Sequence, residues 1–357
     1  MRIALVAPLV SPIDDERIPP GGAQALLADL AAGLASRGHR VTLLAASGSR
    51  VRGVETIDLG LDPARFVPAV LGRAAERSDD AAQRLAFALI ARWLAEHRGG
   101  WDVVHAHAYD APAFDALRPL RPVIHTLHLA PLDPGVVTAA AAAVRAGAVL
   151  AAVSWANARE WTAAGVRTDL VLPNGVDVGA IPYSATGGPD LLFAGRISPE
   201  KGPATAIRAA RRAGREIVLA GPVYDRAHFV SAVEPLLAGD ARYAGALARP
   251  DLYRLMGVSA ALLLPVRWDE PFGLVAVEAQ AAGTPVVTFA RGGLVELVAD
   301  GRTGFLVETD DEDAFVAAIR RIGGIDRAAC RRNAERWTIA RMLDAHERLY
   351  ARLARGA

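Results

Sequence analysis

Three observations on the amino-acid sequence predict an α/β protein built of two doubly wound, parallel-sheet domains. Short apolar runs alternate with helix-length segments through the first half of the chain, the pattern of βαβ units. A Pro/Gly-rich stretch of weak periodicity, residues 173–188, interrupts it and reads as an interdomain linker. The alternation then restarts near residue 190, and 357 residues suffice for two cores of ordinary size.

Taken in order, Ile3–Ala7 reads as a first buried strand. A Gly-rich loop at 19–22 opens a helix over Ala23–Arg37, which Gly38 stops. Arg40–Ala45 is the next strand, 79–97 an Ala-rich helical region, and Trp101–Ala106 a further strand. Val123–Thr126 and Val149–Ser154 are short strands. The apolar stretch from Val136 to Val153 is interrupted by Arg145 and suits a helix and a strand better than a bilayer span. After the linker come a strand at 190–194, a helix at 203–213, a strand at 216–220 and a helix at 228–237. Alternating elements follow at 241–245, 251–257, 260–265, 274–282 and 285–289, and a last helix at 338–354.

Bulk properties set limits. A net charge of +1 with dispersed arginines argues against nucleic acid as a partner. Cys330 is the only cysteine, so an intrachain disulfide is impossible and a reducing cytoplasm is the expected setting. The N-terminal apolar run is too short for a secretory signal.

The segment Arg267-Trp268-Asp269-Glu270-Pro271-Phe272-Gly273-Leu274-Val275-Ala276-Val277-Glu278 carries the most chemistry. Pro271 suits a loop or a first helical turn, and the apolar run from Leu274 reads as a buried helix ending at Gly283, with Pro285 beyond. Glu270 then stands beside the helix N-terminus and Glu278 about one turn inside. The N–H groups of Gly273 and Leu274 face the gap, forming an anion site bordered by hydroxyl acceptors. In Leu191–Gly202, a short strand ends at Gly195 and a turn then carries Arg196 and Lys201. Both cations suit phosphate oxygens, one as a planar fork and the other as a mobile point charge. Gly221-Pro222 ends another strand at a close-approach position.

Other candidates are weaker. His105 and His107 lie two apart on a strand and share a face, so a metal held with His125 or His128 is conceivable. No Asp, Glu or Cys cluster completes such a set, and one packed plus one exposed histidine is the plain alternative. Asp311-Glu312-Asp313 has the spacing of a metal-binding Asp-x-Asp, but it precedes an apolar-periodic helix, and capping explains it. No metal is expected. Gly-x-Gly-x-x-Gly is absent after the first strand, which disfavours a nicotinamide dinucleotide.

Several segments together resemble the retaining glycosyltransferases of family 4, which have the GT-B fold. They are Gly-Arg-x4-Lys-Gly at 195–202, Glu-x7-Glu at 270–278, Asn174-Gly175-Val176-Asp177, Pro19-Pro20 with Gly21-Gly22, His105-Ala106-His107 and Gly301–Val307. The resemblance spans nearly the whole chain in the right order. It implies an acceptor-side domain over residues 1–175, onto which a C-terminal helix at about 338–357 returns, and a nucleotide-sugar domain over 176–337. It further implies a catalytic set of His107, Arg196, Lys201 and Glu270. The implied donor-binding set is Gly21, Gly22, Gly195, Gly221, Leu247, Phe272, Gly273, Leu274 and Glu278. Glu278 would hold the ribose hydroxyls, Glu270 a hydroxyl of the moving sugar, and Leu247 the base. Gly22 would approach the donor when the domains close.

The implied activity is metal-independent, retaining transfer from a nucleotide-diphosphate sugar, uridine favoured over guanosine, to a hydroxyl on a small molecule, glycan or lipid-linked acceptor. No separate cofactor is needed, since the nucleotide sugar is a substrate. Two alternatives stay open: an epimerase or phosphorylase of the same architecture, and a non-catalytic sugar-nucleotide-binding module. The apolar, basic-flanked segment Arg84–Trp93 raises membrane-surface docking, though a buried helix accounts for it equally well.

Overall fold

The computed structural model describes residues 1–14, 21–66 and 80–355. Pro19-Pro20 of the N-terminal motif lie outside them. The chain divides into two compact units, residues 1–174 with 339–357, and residues 175–338. The division therefore falls at the start of the Pro/Gly-rich stretch, between Asn174 and Gly175.

The first unit holds strands β1 (Arg2–Val6), β2 (Arg40–Leu44), β3 (Glu55–Ile57), β4 (Val103–Ala106), β5 (Val123–Leu127), β6 (Val149–Ala152) and β7 (Leu170–Val171). Their order in the sheet is β3-β2-β1-β4-β5-β6-β7, and every pairing is parallel. The second unit holds β8 (Leu191–Ala194), β9 (Ile217–Ala220), β10 (Ala241–Tyr243), β11 (Ala261–Leu264), β12 (Val286–Phe289) and β13 (Gly304–Val307). Their order, β10-β9-β8-β11-β12-β13, is again parallel throughout. Each unit is thus a Rossmann-like sheet wound outward in both directions from a central strand.

Both faces of such a sheet are covered by helices, so its inner strands read as continuous apolar runs. Leu191–Ala194, Ile217–Ala220, Ala261–Leu264 and Val286–Phe289 are buried along their whole length. Small side chains let the covering helices close down on the sheet. Helix Pro203–Arg212 buries Ala204, Ala206, Ile207, Ala209 and Ala210, and puts Arg211 and Arg212 in its last turn. Phe289 and Phe315 pack with ring centroids 5.0 Å apart in the core of the second unit. Two helix starts of the first unit are capped by side chains: Ser154 Oγ accepts from Asn157 N at 3.0 Å and Asp133 Oδ1 from Gly135 N at 2.7 Å.

The last helix, Ile339–Arg355, belongs to the first unit. Leu343 lies against Gly33 of helix Gly22–Ser36, where an added Cβ would come within 2.7 Å of its Cδ1. Arg37 Nη1 reaches both Asp344 and Glu347 at 2.7 Å.

Some expected elements differ. The helix at 228–237 is instead a short α-turn (Arg226–His228), a π-turn (Phe229–Val233) and a 3₁₀ turn (Glu234–Leu236). Pro235 cannot donate and its ring crowds the preceding turn, so a regular ladder cannot run through it. Helices Ala111–Leu117 and Trp155–Ala163 and the edge strands β3 and β7 were not expected. All are short, and the strands have only two or three residues each, too few to show a period. Within Arg84–Trp93, Phe87 and Ile90 are fully buried while Leu85 is 62% exposed. No described helix is long and apolar enough to cross a membrane.

Candidate active site

The second sheet changes winding direction between β8 and β11, and open α/β sheets take ligands outside the C-terminal strand ends at such a point. Two loops leave there, residues 195–202 after β8 and 265–273 after β11. They are fastened backbone to backbone: Arg267 N donates to Glu200 O at 2.8 Å. At Gly202, φ is +71° and an added Cβ would lie 2.1 Å from Pro265 O, so only glycine lets the loops approach this closely.

That approach brings Lys201 to Glu270. The ammonium donates to Glu270 Oε2, and the Trp268 indole N–H donates to the same oxygen at 3.0 Å. Lys201 Nζ also sits 4.9 Å from the centre of the Trp268 ring. The two charged side chains are only 17% and 15% exposed, so removing either leaves a sheltered charge without its partner. Of the 40 basic residues in the chain, Lys201 is the only lysine. A protein that otherwise uses arginine for every cation has a compact ammonium here, where a planar fork has a different shape and reach.

Arg196 stands on the same loop but does not contact Glu270. Its Nη2 lies 3.4 Å from Glu200 Oε1, and its guanidinium stacks 4.5 Å from the centre of the Tyr224 ring. Ser198 Oγ donates to Glu200 Oε1 at 2.6 Å. Both cations therefore already have carboxylate partners, and an incoming anion must share them.

Helix Leu274–Ala281 begins at Gly273, whose φ is +102° and which no side chain caps. Ala276 N bonds back to Gly273 O at 2.9 Å, and the earlier N–H groups have no carbonyl one turn behind them. An added Cβ on Gly273 would lie 3.6 Å from Glu270 Cγ, so the carboxylate stem passes beside this positive helix end. Gly293 N holds the Glu270 carbonyl at 2.6 Å from the far side. Glu278, one turn inside, accepts from the Tyr253 hydroxyl at 3.2 Å. Phe272 is buried, with its ring edge-on to Trp337 at 5.6 Å, and so packs the turn down.

The remaining candidates of this unit line the neighbouring strand ends. Gly195 N donates to Ala220 O at 3.0 Å and Gly221 N to Gly245 O at 2.8 Å. An added Cβ on Gly221 would fall 1.9 Å from Gly195 O. Leu247 is half-buried in the loop ahead of helix Arg249–Val258, which carries Tyr253. Beside the loops, a cavity of about 310 Å³ is lined by Arg267, Phe289, Arg291, Asp310 and Glu312 and contains no expected site residue. The carboxylates of the Asp-x-Asp triplet there take a cap and ion pairs. Asp311 caps Ala314 N at 2.8 Å, Glu312 lies 3.7 Å from Arg208, and Asp313 pairs with Arg212.

In the first unit, His107 follows β4 and is 1% exposed. His105 is fully buried as well, so neither member of the pair is the exposed one that the plain reading expected. Their ring centroids are 4.2 Å apart. His105 is hydrogen-bonded to the Tyr350 hydroxyl and Thr126 Oγ1, both at 2.7 Å, and His107 Nδ1 to His128 Nε2 at 2.9 Å. His107 Nε2 has no partner among the described residues. Burial holds both histidines well below the usual imidazole range, and neighbouring imidazoles push the same way. Gly21 is the N-cap of helix Gly22–Ser36 with φ −166°, extended backbone that any residue adopts. Neither Gly21 nor Gly22 has positive φ, so the conformational freedom expected of this pair is not used.

Cys330 is buried, and burial pushes its thiol up to about 12, which leaves it inert. Four residues at the site were not singled out from the sequence: Trp268, Tyr253, Glu200 and Tyr224. The i,i+4 spacing of Arg196 and Glu200 was a usable signal; nothing local marked the other three.

Comparison with known proteins agrees with this architecture. A model of the family described as Glycosyl transferases group 1 matches residues 182–337, and one described as Glycosyltransferase Family 4 matches residues 20–180. The D-inositol 3-phosphate glycosyltransferase of Xylanimonas cellulosilytica is 31% identical over 405 residues, covering 97% of this chain and 96% of that protein. The glycogen synthase of Mycobacterium tuberculosis is 36% identical over 178 residues, 47% of this chain, and the match spans 43% of that relative's length. Among solved structures, Anabaena HepE in complex with UDP and glucose matches with a TM-score of 0.76 at 19% identity, over 99% of this chain and 100% of its own.

Proposed function

The chain belongs to the group 1 glycosyltransferases of family 4, and from that premise we propose retaining, metal-independent transfer of a sugar from a nucleotide-diphosphate donor to a hydroxyl acceptor. The observation that carries this reading is the contact of Lys201 with Glu270 beside the uncapped start of helix Leu274–Ala281. A departing nucleoside diphosphate gains negative charge in the transition state, and fixed positive groups lower that barrier. Lys201, Arg196 and the amides at Gly273-Leu274 supply them without a metal. Glu270 accepts from a hydroxyl of the transferred sugar, and Glu278 from the ribose. No covalent carboxylate nucleophile is invoked, since Glu270 is held by Lys201 and Trp268, Glu200 by Arg196 and Ser198, and Glu278 serves the ribose; the leaving phosphate takes the acceptor's proton on the face it departs from.

UDP is favoured as the carrier because the structural neighbour HepE was solved with it. A small hydroxylated or phosphorylated acceptor suits the likeness to a D-inositol 3-phosphate glycosyltransferase, and glycan and lipid-linked acceptors are the alternatives. A bacterial cytoplasmic setting completes the reading. Thermal unfolding against a panel of nucleotide sugars tests it: a donor at a hundredfold excess over its Kd should stabilise the protein by about 2.7 kcal/mol. Retention is read from the anomeric configuration of the product, and metal independence from full turnover in EDTA. No stabilisation by any UDP or GDP sugar would reject the reading.

A further inference from the structure

Glu270 has two carboxylate oxygens, and the fold treats them differently. Oε2 takes the Lys201 ammonium and the Trp268 indole N–H together. Among the described residues Oε1 accepts no hydrogen bond, and the side chain keeps 15% of its surface open. A carboxylate's terminal torsion is broad, so a single donor would leave its plane free to swing. Two donors converging on one oxygen hold it. Trp268 has one N–H and spends it here, while its ring lies against the ammonium.

We propose that Trp268 is a positioning residue that sets Lys201 and Glu270 as one preorganised pair, turning Oε1 toward the sugar hydroxyl and the remaining ammonium protons toward the diphosphate. This deepens the transferase reading and rests on it. Trp268 touches no reacting atom; it acts through Glu270. The indole N–H supplies orientation and the indole face limits where the ammonium can swing.

The test is a double-mutant cycle in the full-length enzyme, with the donor identified by the nucleotide-sugar panel and UDP as the binding probe. Trp268→Phe keeps a ring beneath the ammonium and removes the N–H; Glu270→Gln removes the charge it orients. With Glu270 intact, Trp268→Phe should lower kcat about tenfold, the scale of one hydrogen bond to a charged group. The KM for donor and the Kd for UDP should stay within about twofold, and the unfolding midpoint should be unchanged. In the Glu270→Gln background the same change should cost about threefold or less, because the indole N–H then meets a neutral amide oxygen in place of a charged one. Equal losses in both backgrounds, or no loss in kcat with Glu270 present, would overturn the role while leaving the transferase intact. A wild-type protein that turns over no nucleotide sugar would overturn the transferase reading and this role with it.

Discussion

The Tyr253 hydroxyl donates to Glu278 Oε1 at 3.2 Å, joining helix Arg249–Val258 to helix Leu274–Ala281 through the carboxylate assigned to the ribose. Tyr253→Phe leaves the helix packing in place and removes that one hydrogen bond from the carboxylate. UDP affinity should fall about tenfold with kcat little changed, as expected when one charge-assisted hydrogen bond that positions a binding group is lost. Isothermal titration with UDP checks this, and unchanged affinity would remove Tyr253 from the site.

Lys201 being the chain's only lysine makes its environment directly measurable. Lys201→Met should lower kcat by about 10²–10³-fold, the usual cost of a lost transition-state charge contact. Lys201→Arg should recover little of it, because the ammonium's place between Trp268 and Glu270 suits a compact donor. An amine-directed reagent should label one internal peptide, with UDP slowing that labelling. Labelling unaffected by UDP would place the nucleotide elsewhere.

Gly202 and Gly214 share nearly the same backbone, with φ of +71° and +70°, but only Gly202 faces Pro265 O. Gly214→Ala should cost about 1 kcal/mol for the left-handed backbone alone. Gly202→Ala adds a 2.1 Å approach to a carbonyl and should cost more than about 3 kcal/mol or prevent folding. Urea unfolding of the pair separates strain from collision.

Arg327 is half-buried and every acceptor around it is neutral: Ser184 O at 3.0 Å, Ser259 O at 3.0 Å, Gly257 O at 2.8 Å and Thr284 Oγ1 at 2.9 Å. Burial lowers its pKa, yet a guanidinium stays charged. Its fork staples the segment leaving the linker to the loops at the ends of two helices. Arg327→Met should destabilise the fold by about 2–4 kcal/mol through unpaired carbonyls, and Arg327→Lys should recover little, since one ammonium cannot reach all four acceptors. Chemical denaturation checks both.

Acid should loosen the first unit. Burial pushes His125 down to about 3 and both His128 and His346 down to about 4, with His105 and His107 also well below normal. Unfolded imidazoles titrate near 6.5, so below that pH the unfolded chain binds protons that the folded one refuses. The contribution to stability is complete above about pH 6.5 and drains away as pH falls, by about 1.4 kcal/mol per unit for each histidine kept neutral. His125, stacked on Phe114 with neither ring nitrogen partnered among the described residues, is the cleanest reporter. His125→Leu should flatten the slope between pH 6.5 and 5 by one histidine's share, read as the melting midpoint against pH. An unchanged slope would show that His125 titrates normally.

How much was legible beforehand depended on range. The apolar runs at Leu191–Ala194 and Ile217–Ala220, the glycine stops and the restart beyond residue 188 are local signals, and they predicted two parallel-sheet units with element ends off by a residue or two. Arg196, Lys201, Glu270 and Glu278 were picked out as charged groups at strand and helix ends, and as a set by the resemblance of their segments to family 4. By contrast, no spacing announces that Trp268 and Lys201, 67 residues apart in the numbering of the chain, meet on one oxygen of Glu270.

The sequence alone determined most of the longer strands and helices, the parallel winding and the set of charged groups, because hydrophobic period, turn chemistry and charge are properties of neighbours along the chain. Only the tertiary structure decided which charges face each other: that Lys201 pairs with Glu270 while Arg196 turns to Glu200, and that both His105 and His107 are buried. The reason is physical. Pairing across loops depends on where separate strands end in space, and on backbone approaches such as Gly202 to Pro265, which loop closure creates and no local pattern encodes.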